Sequence, residues 1–359
     1  MKKTFLLLSF ALLTLGSCSS DDDTAPEVPS VGATIPASVG GANQPNQLYL
    51  DLSTGESKSI NRQSWDFGFS SGSDFRVVIN GSLKMAVKKL STSDITLAQE
   101  IDANVTVGAG TTASSNGFVD NPTGVLAGAG AGIGTAIAEI SATDADNKVY
   151  LVNLGYAVST AKPAAGSVSV DGDARGWKKV RILRNGNGYK IQYADLASTT
   201  FTEKTVAKEA DFNFAFFSLT TGNTVSVEPQ KTKWDLNFTT FTNYLSGETE
   251  VTYGYSDFIV TNMKGGTQAY QVLTADKTYE AFVKADVLEA NFTVSATDQR
   301  IIGANWRSGG GPFTLPSIRT DRFYIIKDAA GNYYKVKFLA MTNDAGERGH
   351  ATLEYAILK

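Results

Sequence analysis

The chain repeats itself, and the repeated parts are written in strand-forming residues. Leu52-Ser53-Thr54-Gly55 returns as Leu219-Thr220-Thr221-Gly222. Trp65-Asp66-Phe67-Gly68-Phe69 returns as Trp234-Asp235-Leu236-Asn237-Phe238. Asp74-Phe75 leads to Asn80, and Asp257-Phe258 leads to Asn262. Two predicted hairpins follow. One joins Val180–Leu183 to Tyr189–Tyr193 through Asn185-Gly186-Asn187-Gly188. The other joins Phe323–Ile326 to Tyr334–Phe338 through Asp328-Ala329-Ala330-Gly331-Asn332. Phe212–Phe217 also alternates like Leu353–Leu358. Motifs recurring in one order at this spacing mark a duplicated structural unit.

The runs are rich in Val, Ile, Phe, Tyr and Thr and are punctuated by residues that tolerate positive φ, the pattern of antiparallel strands and turns. The fold class expected is therefore mainly β, as two docked antiparallel units over residues 46–217 and 218–359. One helix is expected, a short one over Ala281–Ala290. Side chains alternate along a strand, so Trp65, Phe67 and Phe69 are expected to form one core stripe, with Asp66 facing away or capping a turn. A ligand-facing role is the alternative for the tryptophans.

The chain opens with a leader. Met1-Lys2-Lys3 is a positive n-region, and Phe5–Leu15 is an apolar stretch too short to span a bilayer. Leu15-Gly16-Ser17-Cys18 places small residues before the chain's one cysteine. This is the arrangement a lipoprotein signal peptidase needs, and the thiol accepts diacylglycerol. Residues 1–17 are thus expected to be a lipoprotein signal peptide and Cys18 the lipid-attachment site, with 18–45 a flexible tether. The tether begins Ser19-Ser20-Asp21-Asp22-Asp23. This acidic run resembles the signal that carries Bacteroidetes lipoproteins to the outer face of the outer membrane. With no second cysteine the mature chain forms no internal disulfide, and its stability must come from a core. Its 359 residues, 42 % of them apolar, suffice for one or two cores.

Composition and motifs narrow the function. A net charge of −4 with no basic stripe argues against a nucleic-acid partner. There is one histidine, and no zinc-binding His-Glu-x-x-His, nucleophile elbow or P-loop. No catalytic residues are expected and the chain reads as a non-enzyme, although paired carboxylates could still meet in space. The run Gly124–Gly134 lacks the spacing and the strand–helix setting of a dinucleotide fingerprint. It is expected to be an exposed loop or weak strand without a counterpart in the second unit.

Together, the lipobox, the Leu-Ser-Thr-Gly turn, the Trp-Asp-x-x-Phe strand, the Asn-terminated strand and the closing Tyr-Lys-Val-Lys-Phe hairpin resemble the HmuY family of surface lipoproteins. The resemblance implies capture of haem or a related nutrient at the cell surface and delivery to an outer-membrane receptor. It also implies two axial iron ligands, histidines in some members and methionines in others. The region expected to hold the second ligand reads Trp306-Arg307-Ser308-Gly309-Gly310-Gly311-Pro312, with neither residue type. The remaining ligand candidates are Met263, Tyr279 and His350, while Met85 and Met341 are expected elsewhere, in the core or on the surface. No separate metal site is expected. The alternative function is a structural or adhesive surface lipoprotein that has lost haem and binds protein or glycan.

Overall fold

The computed structural model describes residues 33–108, 118–128, 133–244, 251–310 and 314–359. In chain order the strands begin with β1 (Ala33–Ser38), β2 (Asn46–Leu50), β3 (Ser57–Asn61), β4 (Phe67–Ser70), β5 (Val77–Ile79), β6 (Ala86–Lys89) and β7 (Tyr150–Asn153). Next come β8 (Tyr156–Val158), β9 (Asp171–Ala174), β10 (Trp177–Asn185), β11 (Gly188–Ala194), β12 (Thr202–Val206), β13 (Phe214–Ser218) and β14 (Asn223–Val225). The last are β15 (Leu236–Tyr244), β16 (Thr252–Thr261), β17 (Gln268–Leu273), β18 (Arg307–Ser308), β19 (Ser317–Ile318), β20 (Arg322–Lys327), β21 (Tyr333–Thr342) and β22 (Arg348–Ile357).

Two five-stranded sheets, β1-β22-β21-β20-β17 and β12-β11-β10-β7-β6, are built around the two predicted hairpins. In the first hairpin Asn185 pairs with Gly188, and Gly186 takes the positive φ of +57° that so tight a turn requires. In the second, the Asp328 carboxylate accepts from Ala330 N at 2.9 Å and Asn332 N at 2.8 Å. Two four-stranded sheets follow the orders β14-β13-β4-β5 and β3-β2-β15-β16, and β8-β9 and β18-β19 are small ribbons.

The four-stranded sheets are built by exchange. The Leu-Ser-Thr-Gly turn joins β2 to β3, yet β2 pairs with β15, the strand of the second Trp-Asp motif. The Leu-Thr-Thr-Gly turn joins β13 to β14, yet β13 pairs with β4, the strand of the first. Each turn needs its glycine, with φ +74° at Gly55 and +67° at Gly222. The cores follow the exchange. One gathers Phe67, Phe69, Val152, Tyr189 and Phe217. The other gathers Leu48 and Leu50 with Leu236, Phe238, Tyr324 and Leu353. Packing therefore crosses the boundary drawn at 217/218.

Four expectations are corrected. The tether does not extend to residue 45: Ala33–Ser38 pairs with β22 from Ala33↔Tyr355 to Ser38↔His350, and Val39, Ala42 and Gln44 are buried. Pro36, which has no N–H to donate to a ladder, is tolerated because β1 is an edge. Phe212–Phe217 is not the partner of Leu353–Leu358. By sheet order its strand matches β2, and β22 matches β12. Residues 281–290 form no α-helix. Short 3-10 turns at Lys284–Asp286 and Glu289–Phe292 hang Phe292 into a cluster with Tyr270 and Phe323, and the tertiary contact overrides a weak helical pattern. Finally, Trp65 lies just before β4 and packs in a different cluster from Phe67 and Phe69.

Candidate functional site

Each Trp-Asp motif is a hydrogen-bond hub. Asp66 N donates to Phe217 O, and Leu219 N donates to the Asp66 carboxylate at 2.6 Å. In the other copy Asp235 N donates to Leu50 O, and Leu52 N donates to Asp235 at 2.9 Å. The aspartate thus secures the leucine that opens the other copy's glycine turn. The asparagine ending the next strand completes the hub. Asn80 Nδ2 donates to Arg62 O and Trp65 O, both at 2.8 Å. Asn262 Nδ2 donates to Lys231 O at 2.7 Å and Trp234 O at 2.8 Å. These motifs are architectural, and Asp66 is a turn cap.

The hubs aim both tryptophans into one shared cluster with Tyr49, Phe216 and Val227. Trp65 meets Phe216 edge-on, with ring centres 4.8 Å apart, and Trp234 meets Tyr49 at 4.9 Å in the same way. Beside them lies a cavity of about 180 Å³. Both indoles line it and are 8 % and 7 % exposed, yet neither Nε1 has a hydrogen-bond partner among the described residues. Asn237 Oδ1, on the same wall, also has no partner among them. Threonines of β15 close the cavity against the first copy, as Thr240 Oγ1 donates to Ser82 O at 2.8 Å and Thr242 Oγ1 to Gly81 O at 2.7 Å.

Charge is suppressed around this space. Burial pushes the Glu228 carboxyl up to about 7, although Asn213 N and Phe214 N both donate to its Oε1. Burial likewise pushes Asp120 up to about 7 against donation from Ala136 N and Ile79 N. Partial desolvation lowers the Lys264 ammonium, although the residue keeps an exposed face, and the charges of Asp74 and Glu228 partly offset the shift. The wall is thus aromatic and near neutral, with isolated donors and acceptors, the make-up of a small-molecule site.

The three expected ligands are not brought together. Met263 lines the cavity. Tyr279 is buried elsewhere, its ring 5.6 Å from Phe323 and its hydroxyl donating to Lys335 O. His350 sits on β22 with Ser38 Oγ at 3.1 Å and Glu347 Oε2 at 3.3 Å. Met85 and Met341 are both core, as expected, and Met85 also lines the cavity from the first copy. Cys18 and residues 129–132 of the glycine run lie outside the described residues, but Gly124, Val125 and Leu126 form cavity wall. Sequence reasoning missed Asp120, Glu228 and Tyr49, since nothing local distinguishes a carboxylate or phenol that folding will bury. Among the described residues no group of three or more His, Cys, Asp or Glu is arranged to hold a metal, and no helix is long and apolar enough to cross a membrane.

A family model described as HmuY protein matches residues 43–355. No curated relative matches the chain. Among solved structures, the apo HmuY analog of Tannerella forsythia is 10% identical over 92% of this chain and 96% of that one, with a TM-score of 0.24. A Bacteroides vulgatus protein provisionally named HmuY-like and heme binding is 10% identical over 91% and 92%, with a TM-score of 0.22. A Bacteroides fragilis protein provisionally named a lipoprotein is 10% identical over 49% and 92%, with a TM-score of 0.21.

Proposed function

The chain belongs to the HmuY family, and on that premise we propose that it is a non-enzymatic surface lipoprotein that captures haem or a related nutrient. In this reading a lipid on Cys18 holds it in the outer membrane, and the cargo passes to an outer-membrane receptor. The observation that carries the binding role is the aromatic cavity with its two unpaired indole donors. A bound ligand would satisfy both groups at once.

Met85 and Met263 bring two thioethers to this cavity, and thioether sulfur is an established haem-iron ligand type. The porphyrin itself does not fit the space as it stands. Pockets for cofactor-sized ligands run from about 300 to 1,000 Å³, so haem capture here requires the wall to part.

Titrating haem into the mature chain tests the reading. The expected result is a saturable Soret change at micromolar or tighter affinity. It should weaken when Met85 or Met263 is replaced by alanine and persist when Tyr279 or His350 is. A featureless titration in both oxidation states would remove haem and favour the structural or adhesive alternative. Metabolic labelling with a fatty acid tests the anchor, and equal labelling of Cys18→Ala would refute it.

A further inference from the structure

Two buried N–H groups without partners among the described residues, at matching positions of two Trp-Asp motifs and on the wall of one cavity, call for a common explanation. Each indole is fixed by its hub and by an edge-on aromatic neighbour, so neither N–H can turn toward a protein acceptor without breaking the packing. Asn237 Oδ1 adds an unpaired acceptor to the same wall. Whatever satisfies the three must bring acceptor atoms to the indoles and a donor to the asparagine.

Size and charge narrow the class. A cavity of about 150 Å³ lined by apolar side chains accepts one benzene, and this one is about 180 Å³. It has room for one ring, or for two fused rings at most. Its acids are held toward the neutral form and its lysine is pushed the same way while staying exposed, so the buried wall offers a charged guest little compensation. A flat guest would lie against Trp65, Trp234 and Phe214, which offer edges and faces for aromatic contact.

We infer that this cavity binds a compact, neutral heteroaromatic molecule of one or two rings that carries both hydrogen-bond acceptors and a donor. The inference rests on the cavity being the ligand seat, and it names a cargo smaller than a porphyrin. Such a molecule supplies the acceptors and the donor together and enters without moving the wall segment 119–126.

The test uses the full mature chain and three probes. 4-Hydroxyquinoline and adenine carry both acceptors and donors, and naphthalene has a similar flat shape with neither. Calorimetry should show micromolar binding of at least one of the first two, with naphthalene at least tenfold weaker. Trp65→Phe and Trp234→Phe keep a ring and remove the N–H, and each should weaken the polar probe about 3- to 10-fold, the worth of one hydrogen bond, while leaving naphthalene unchanged. Nitrogen-15 indole spectra of the unmodified chain give a readout that needs no variant. The Trp65 and Trp234 resonances should move on binding, and that of Trp306, whose Nε1 already donates to Asp257 O, should not. Failure of both polar probes to bind, or naphthalene binding equally well, overturns the inference. Haem binding that survives this failure leaves the family reading standing, whereas the absence of any binding, haem included, overturns both.

Discussion

The two Trp-Asp motifs perform the same backbone task in different electrostatic settings. Asp66 is fully buried and pairs with the Arg175 guanidinium at 2.7 Å, itself nearly buried. Asp235 occupies the matching position but pairs with no cation among the described residues. Its second oxygen accepts from Thr267 Oγ1 at 2.9 Å, and burial pushes its carboxyl up to about 7. Arg175 lies in the long excursion between β7 and β10, whereas Thr267 immediately precedes β17. The two motifs therefore share the hydrogen bond to the leucine of the opposite turn and differ in how the aspartate is neutralised.

Removing a shared element should have the largest effect. Trp65→Ala and Trp234→Ala should each cost about 3–5 kcal/mol, the range for large-to-small changes in packed cores, measured by urea unfolding. Because both rings share one cluster, the double variant should cost less than the sum. An unchanged midpoint for either would show an exposed indole and break the equivalence.

Neutralising each aspartate should then separate the copies. Asp66→Asn keeps an acceptor for Leu219 N but strands a buried guanidinium, and should cost about 3 kcal/mol. Asp235→Asn strands nothing charged and should cost about 1 kcal/mol. Equal losses in parallel urea titrations would mean that Arg175 contributes nothing to the difference.

The pH profile should show the smallest effect and the sharpest contrast. An unfolded Asp ionises near 4, whereas folded Asp235 holds its proton to about 7. Its contribution to stability is complete below about pH 4 and is lost as pH rises through 7. Glu228 and Asp120, raised to about 7 by burial, act with the same sign. Melting temperature should fall between pH 5 and 7.5 in the unmodified protein, less steeply in Asp235→Asn, and less steeply again when Glu228→Gln is added. Gln suits Glu228 because both N–H donors use one oxygen and leave the other for the proton. A profile as steep in the double variant as in the unmodified chain would refute the assignment.

The β class and both hairpins were legible because alternation and turn chemistry are local. The recurring motifs were legible because equivalent backbone tasks need the same Trp, Asp, Asn and Gly. The exchange was not. Leu52 and Leu219 look as though they serve the motif that follows each, and the hydrogen bonds that send Leu52 to Asp235 and Leu219 to Asp66 span 183 and 153 residues. Ala33–Ser38 was missed because an edge strand takes its order from the neighbouring ladder and needs little apolar content of its own. In the cavity, Met263 was legible only as a type of side chain, and its neighbour Met85 belongs to a segment 178 positions away in sequence, which nothing short of the fold brings alongside.

The pairing of β1 with β22 also sets a timetable. Ser38 bonds to His350 across 312 residues, and β2 must wait for β15. Contacts of such sequence separation form slowly, because the loop must close before anything is gained. The strands made first are therefore finished last, and until then they present open edges of the kind that recruit wrong partners. Loss of only the final ten residues should accordingly strip β1, at the opposite end of the sequence, of its one ladder partner.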